Sequence, residues 1–484
     1  MKLVLSRKSH NSLSDQIVQQ IAGRIQSSML TGGEKLPSIR QLSVDAGISF
    51  LTVHKAYKKL EQAGMVKSIQ GKGVYVERPA QKEAAENSFD WQLSIPAYLT
   101  RSSFHSRPKT TYSFDYSAMH SGLLPTIYLA DQLTEMLKAE PAILGTYGDV
   151  QGDALTREAF STYFQKQLGL SSAADDLIMT TGLHQGIELI AKTLIGPGDV
   201  VITEAPTYPG VLDILMNRGA QVIPIAMDEE GMRADLLAQV AKTYHPKAIY
   251  MNPTFQNPTG RSMSERRRKE VLYQAQLHGM FIIEDDSWSE LYFDEKPPPK
   301  SIKAFDDEGR ILFLKGFSKA LAPGIRVGTI FAEGPFKKLL LSAKASSDLG
   351  TPLLTQRAVL PFLTSDRMMQ HFAKLRFALE LRRDKAISIL SASFDSSVSW
   401  TVPEGGLNIW VTFPESVSTV ELYEYCLRHD LSFLPGHVCY PYEPASHHLR
   451  LTYSLLSERD LEQGLHAFVS LANDFINNRL ESGC

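Results

Sequence analysis

Within GFSKALAPGIRVG (residues 316–328), Lys319 follows a serine and Arg326 stands seven positions further on. An amine in such a segment can condense with an aldehyde while Ser318 and Arg326 grip an anion carried by the same molecule. Upstream, IIEDDSWSE ends an apolar run in acids, and Asp285 is suited to hold a positive charge on a ring nitrogen. NPTFQNPTG presents the Asn257 amide beside a proline-restricted turn, and TEAPTYPG offers the Tyr208 ring for stacking on a flat heterocycle. TTGLHQGIELIA puts Gly182 at a strand-to-helix junction, where the N–H groups of Leu183 and His184 point at an anion. Near the C-terminus, HHLRLTYS supplies Arg450, whose planar fork matches a carboxylate.

Singly these are ordinary features: a turn, a capped strand end, a surface arginine. As an ordered set they form the inventory that pyridoxal phosphate requires. Its aldehyde needs an amine, its ring nitrogen a carboxylate, and its phosphate needs amides, a hydroxyl and a cation.

Such residues need a scaffold. VVITEA, KAIYMN, GMFIIEDD and RILFLKGFS read as buried strands, and RRRKEVLYQAQLHG reads as a crossover helix. The alternation predicts an α/β body with a mostly parallel sheet, in which ligands bind at the carboxyl ends of the strands.

A different pattern precedes it. Leu13, Ile17, Ile21 and Ile25 form an apolar stripe on a first helix. IRQLSVDA follows, with Ser38 as N-cap and Gly47 as stop. A third helix runs from about Ser49 to Ala63; it buries Val53, Ala56, Tyr57 and Leu60 and turns Thr52, His54, Lys55, Lys58 and Lys59 outwards. MVKSIQGKGVYVE then alternates like a hairpin with Lys72 at its tip. Two short helices joined at a glycine, followed by a hairpin wing, describe a winged helix-turn-helix that enters a DNA groove. Lys72 is placed to meet phosphate.

Charge follows the same division. Residues 1–78 carry twelve Lys/Arg against five Asp/Glu, a local +7, so the remaining chain carries −10 of the net −3. A basic head on an acidic body predicts that only the head meets a polyanion. The partition is a DNA-binding domain over 1–78, a Pro-, Ser- and Thr-bearing linker over 79–111, and a body over 112–484. No run of about eighteen apolar residues exists to span a membrane, and the first residues lack the apolar core of a secretory signal. Three cysteines, Cys426, Cys439 and Cys484, form no metal or disulfide spacing. The expectation is a cytoplasmic protein without metal.

Two family resemblances follow from these motifs. LPSIRQLSVDAGIS, TVHKAYKKLEQAGMV and GKGVYV resemble the winged helix of GntR-type regulators. The resemblance implies operator contacts from Ser38, Arg40, Thr52 and His54, with Lys55 beside them and Lys72 at the wing. Phe50 stands where that family commonly has arginine. The body, from about residue 112 to 475, resembles the fold-type I aminotransferases, with a smaller C-terminal α/β subdomain implied. It makes Lys319 the Schiff-base lysine, Asp285 the ring-nitrogen partner, Asn257 the contact to the phenolic oxygen and Tyr208 the stacking residue. Ser318, Arg326 and the amides of Leu183 and His184 would hold the phosphate, and Tyr147 would reach the phosphate of a neighbouring subunit. Arg450 would take the α-carboxylate of a bound amino acid, with Gly122 and Asn408 lining the pocket. Two positions depart from the pattern: Ser287 and Trp288 stand where a tyrosine often follows the aspartate, and Leu183 replaces a frequent Ser/Thr.

A GntR-type head on such a body resembles the MocR subfamily of regulators. The resemblance implies a homodimer that binds operator DNA and senses pyridoxal phosphate, an amine or an amino acid. The alternatives are a working aminotransferase with an accessory head, and a regulator whose body has lost the cofactor and serves only dimerisation.

Overall fold

In the computed structural model the described residues are 12–26, 30, 32–69, 72–77, 108–317, 319–442 and 445–482. Most of the expected linker, including Phe89, Asp90 and Trp91, and also Ser318, lies outside them. The chain divides into two compact units, Met1–Pro96 and Ala97–Cys484.

The first unit holds α1 (Leu13–Gln26), α2 (Ile39–Ala46), α3 (Phe50–Gln62), β1 (Val66–Ile69) and β2 (Gly73–Val76). Local signals set its boundaries. The Ser38 hydroxyl accepts the Gln41 N–H and caps α2, Gly47 ends it at φ 61°, and the Ser49 hydroxyl accepts the Thr52 N–H at the start of α3. Ile17, Ile21, Leu42, Val53, Ala56, Tyr57 and Leu60 meet Val66, Val74 and Val76 in one small core. β1 and β2 pair antiparallel, Val66 opposite Val76, as the wing. One side chain departs from the expected outward face. Lys59 forms an ion pair with Asp15 of α1 at 2.5 Å and is tied to its own domain, because the α1–α3 packing brings a carboxylate beside it.

The second unit is built on an eight-stranded sheet, among the described residues, of β3 (Leu177–Thr180), β4 (Val200–Ala205), β5 (Gln221–Asp228), β6 (Gly231–Met232), β7 (Ala248–Met251), β8 (Phe281–Asp286), β9 (Ile311–Gly316) and β10 (Gly328–Phe331). Their order across the sheet is β3-β10-β9-β8-β7-β4-β5-β6. Pairs β9–β8, β8–β7, β7–β4 and β4–β5 are parallel, whereas β10 is antiparallel to β9 and β3, and β6 is antiparallel to β5. Both sheet faces are buried, which is why these strands are continuously apolar. Ile282, Ile249 and Phe313 face one core; Ile283, Leu312 and Leu314 face the other. Helix α4 (Leu183–Leu194) packs close on the second face, and a Cβ on Gly186 would meet Leu314 Cδ2 at 2.6 Å. Helix α5 (Pro209–Asn217) follows β4.

The smaller C-terminal layer is an antiparallel sheet of β11 (Ser399–Trp400), β12 (Asn408–Thr412), β13 (Leu434–Pro435) and β14 (His448–Thr452), in the order β11-β12-β14-β13. Just after the expected linker, Tyr112–Ser113 pairs in parallel with Leu431–Ser432.

Candidate functional site

The strand ends converge on one cavity of about 810 Å³. Its wall includes Leu183 and His184 after β3, Tyr208 after β4, Asn257 after β7, Asp285 near the end of β8, and Gly316, Lys319 and Arg326 around β9 and β10. Arg450 of β14 closes the far side. Residues separated by up to 335 positions in the chain thus share one volume, because parallel crossovers return the strands of the large sheet to one edge and the smaller sheet supplies Arg450.

One end of the cavity is shaped for an anion. Gly182 caps α4 at φ 91° with no side chain bonded over the first turn. A Cβ there would meet Arg326 Nη2 at 2.6 Å, so glycine is what admits the guanidinium to the helix N-terminus. Arg326 holds φ 53°, a left-handed conformation that costs a bulky residue of order 1–3 kcal/mol. Burial and the nearby Arg326 charge push the His184 pKa down, favouring the neutral imidazole. The helix N-terminus, its dipole and Arg326 together make this end suited to an anion such as a phosphate.

Asp285 is buried at the middle of the cavity. Its Oδ2 accepts the Tyr250 hydroxyl at 2.7 Å and its Oδ1 accepts the Ser287 hydroxyl at 3.0 Å. Burial raises its pKa to about 6 against the lowering effect of those two bonds. A cationic ring nitrogen facing it would restore the carboxylate. Asn252 fixes the strand end from below, its Nδ2 donating to Asp285 O (2.6 Å) and its Oδ1 accepting the Asn257 N–H (2.8 Å). The Tyr208 ring folds back over Gly210, where a Cβ would meet the ring at 2.6 Å. Lys319 Nζ stands 4.8 Å from the centroid of the Tyr116 ring.

At the other end, Arg450 Nη1 donates to Asn257 Oδ1 (2.8 Å) and Nη2 donates to Asp115 O (2.5 Å). The cavity residues that were not legible as site residues include Tyr116, Tyr250 and Asn252. The period-two pattern of KAIYMN gave a signal for one pair, since Tyr250 and Asn252 alternate on one strand face that runs into the NPT turn.

Two expected pocket residues lie elsewhere. Gly122 is exposed in a short turn, its N–H donating to His120 Nδ1 (3.2 Å), and is absent from the cavity wall. Asn408 is fully buried behind the wall and meets the wall residue Ser117, whose hydroxyl donates to Asn408 Oδ1 (2.5 Å). Tyr147 is 86% exposed and does not line its own chain's cavity. Trp288, in place of the usual tyrosine, lines the cavity but gives its indole N–H to Phe255 O at 2.8 Å. In the head, Ser38, Arg40, His54, Lys55 and Lys72 are exposed, and Thr52 is half-buried.

Comparisons with known proteins agree with this geometry. The model of the family "Aminotransferase class I and II" matches residues 121–468, and that of "Bacterial regulatory proteins, gntR family" matches residues 13–76. An HTH-type transcriptional regulator of Bacillus subtilis, YisV, described as uncharacterized, is 31% identical over 475 residues, covering 96% of this chain and 97% of its own. Aromatic-amino-acid aminotransferase 1 of Thermococcus litoralis is 32% identical over 346 residues, 70% of this chain and 83% of that one. Among solved structures, kynurenine aminotransferase of Pyrococcus horikoshii superposes with a TM-score of 0.72 at 30% identity, covering 76% of this chain and 91% of that one. LysN of Thermus thermophilus, complexed with N-(5'-phosphopyridoxyl)-L-leucine, gives 0.74 at 25% identity, covering 80% and 99%.

Fold and site therefore define a class: a gntR-type winged helix fused to a pyridoxal-phosphate-binding body of the aminotransferase type. The chain belongs to the class I and II aminotransferase family and, with its DNA-binding head, to the HTH-type transcriptional regulators of the MocR type. The phosphate cradle at Gly182 and the buried Asp285 fit the cofactor.

Proposed function

We propose that the chain is a transcriptional regulator whose body captures pyridoxal phosphate, and an amino compound, through Lys319. The observation that carries this reading is the single cavity that unites Lys319, Asp285, Arg326 and Arg450 in a chain that begins with a winged helix. When bound, the cofactor supplies an aldehyde that bonds reversibly to amines and a ring that withdraws electrons.

The chain's own residues divide the work. Leu183 and His184 amides and Arg326, with Ser318, hold the phosphate; Tyr208 stacks on the ring and Asn257 donates to its phenolic oxygen. Asp285 balances the ring-nitrogen charge. In a homodimer, Tyr147 reaches the phosphate of the other subunit. At the head, Ser38, Arg40, Thr52, His54, Lys55 and Lys72 contact operator DNA.

Arg450 supplies the route for a signal. An effector carboxylate competes with Asp115 O for the Nη2 donor. Asp115 belongs to the short run that enters the body after the linker and pairs with Leu431–Ser432. Occupancy thus releases Asp115 from Arg450, and it shifts the DNA-binding equilibrium by its differential affinity for the two states.

The test is operator affinity with and without pyridoxal phosphate and across a panel of amino acids, on the wild type and on Lys319→Ala. A tenfold or larger change for the wild type and none for the variant is expected. Identical regulation by the variant would show that covalent capture is not the signal. A second reading, transamination, is favoured by the identity that the body shares with the Thermococcus aminotransferase. Repeated turnover of an amino acid with a 2-oxo acid would establish it.

A further inference from the structure

The first turn of α3 carries two large apolar side chains that, among the described residues, stand outside the core. Phe50 is 47% exposed and Leu51 75% exposed, and neither packs against the head's core. Their positions follow from the helix period. Val53, Ala56, Tyr57 and Leu60 take the buried face, which leaves Leu51 in line with Lys55 and Lys58, and Phe50 in line with His54. The Phe50 and His54 rings lie nearly parallel, with centroids 6.4 Å apart and planes inclined at 13°. The Ser49 cap fixes the backbone of the same turn.

The setting selects the occupant. The patch leads the second helix of a helix-turn-helix, the end that enters a major groove. Arg40, Lys55, Lys58 and Lys72, all exposed, surround it with the charge a polyanion needs. On the floor of the major groove the apolar group is the 5-methyl of thymine.

We infer that Phe50 and Leu51 read thymine methyl groups, making this head selective for A·T pairs at the positions its third helix meets. The inference rests on the DNA-binding reading of the head.

The experiment enriches random-sequence duplexes on the full-length protein loaded with pyridoxal phosphate, then remakes the best duplex with deoxyuridine in place of thymidine. Each contacted methyl lost should weaken wild-type binding about fourfold. The Phe50→Ala/Leu51→Ala double variant should bind the two duplexes equally, and Phe50→Arg should enrich duplexes richer in G·C. Equal wild-type affinity for the two duplexes, or the same loss in the double variant, overturns the inference while leaving DNA binding intact. Failure to enrich any duplex overturns DNA binding itself, and this inference with it.

Discussion

The head and the body both carry cations, but they keep them in opposite ways. In the head, Arg40, Lys55, Lys58 and Lys72 stand in solvent on a core of a dozen or so side chains, and Lys59, paired with Asp15, is an exception. The body encloses several of its cations, although at the cavity Arg326 is exposed and Lys319 half-buried. Arg450 is spoken for by Asn257 and Asp115, Lys315 is fully buried against Asp286 (3.0 Å) and Glu290 (2.7 Å), and Lys344 is fully buried against Asp348 (2.6 Å). A long polyanion can be met only from outside, over several phosphates and under salt screening. One small dianion can be surrounded, so few groups suffice and each must be placed by packing. The comparison makes the body the precise half and the head the additive half.

The largest effect that would break this contrast belongs to the cradle. Gly182→Ala should raise the dissociation constant for pyridoxal phosphate by about a hundredfold, because the added Cβ meets Arg326 Nη2 and the backbone keeps φ 91°. Equilibrium titration of cofactor absorbance measures it; a near-wild-type constant would mean the phosphate sits elsewhere. Next comes pH. Asp285 has its pKa raised to about 6 in the cavity, so acidification below pH 6 protonates the group that must balance a cationic ring. Cofactor affinity should fall about tenfold per unit below that point, and Asp285→Asn should remove this dependence together with most of the affinity. The smallest effect belongs to the wing. Lys72→Ala should weaken operator binding only a few-fold, and lower the slope of log affinity against log salt by about 0.9. Cofactor affinity of the same variant should not change. A wing variant with an unaltered salt slope would remove Lys72 from the interface and blur the division between the two halves.

Much of the head was readable because its determinants are local. Ser38 and Ser49 cap the helices they immediately precede, Gly47 ends one with a left-handed turn, and a four-residue recurrence marks each buried face. What reading along the chain missed there was Lys59, whose partner Asp15 is 44 residues away. In the body, the strands declared themselves by apolar runs, and the site residues declared themselves by standing at strand ends in an ordered set. Asp285 was visible in this way, but the Tyr250 and Ser287 hydroxyls that hold it were not. Nor was the displacement of Gly122 and Asn408 from the cavity wall, or the use of a main-chain carbonyl, Asp115 O, to occupy Arg450.

By itself, then, the sequence determined which segments are helix or strand, which half is basic, and which groups the chemistry requires. These follow from side-chain type, period and neighbours within a few positions. The tertiary structure alone decided which of those groups meet, because a hydrogen bond across the cavity depends on crossovers that set β7 beside β8 and on packing that brings β14 of the smaller sheet against the turn after β7. Segments scores or hundreds of residues apart acquire a common neighbour only once the sheet is formed.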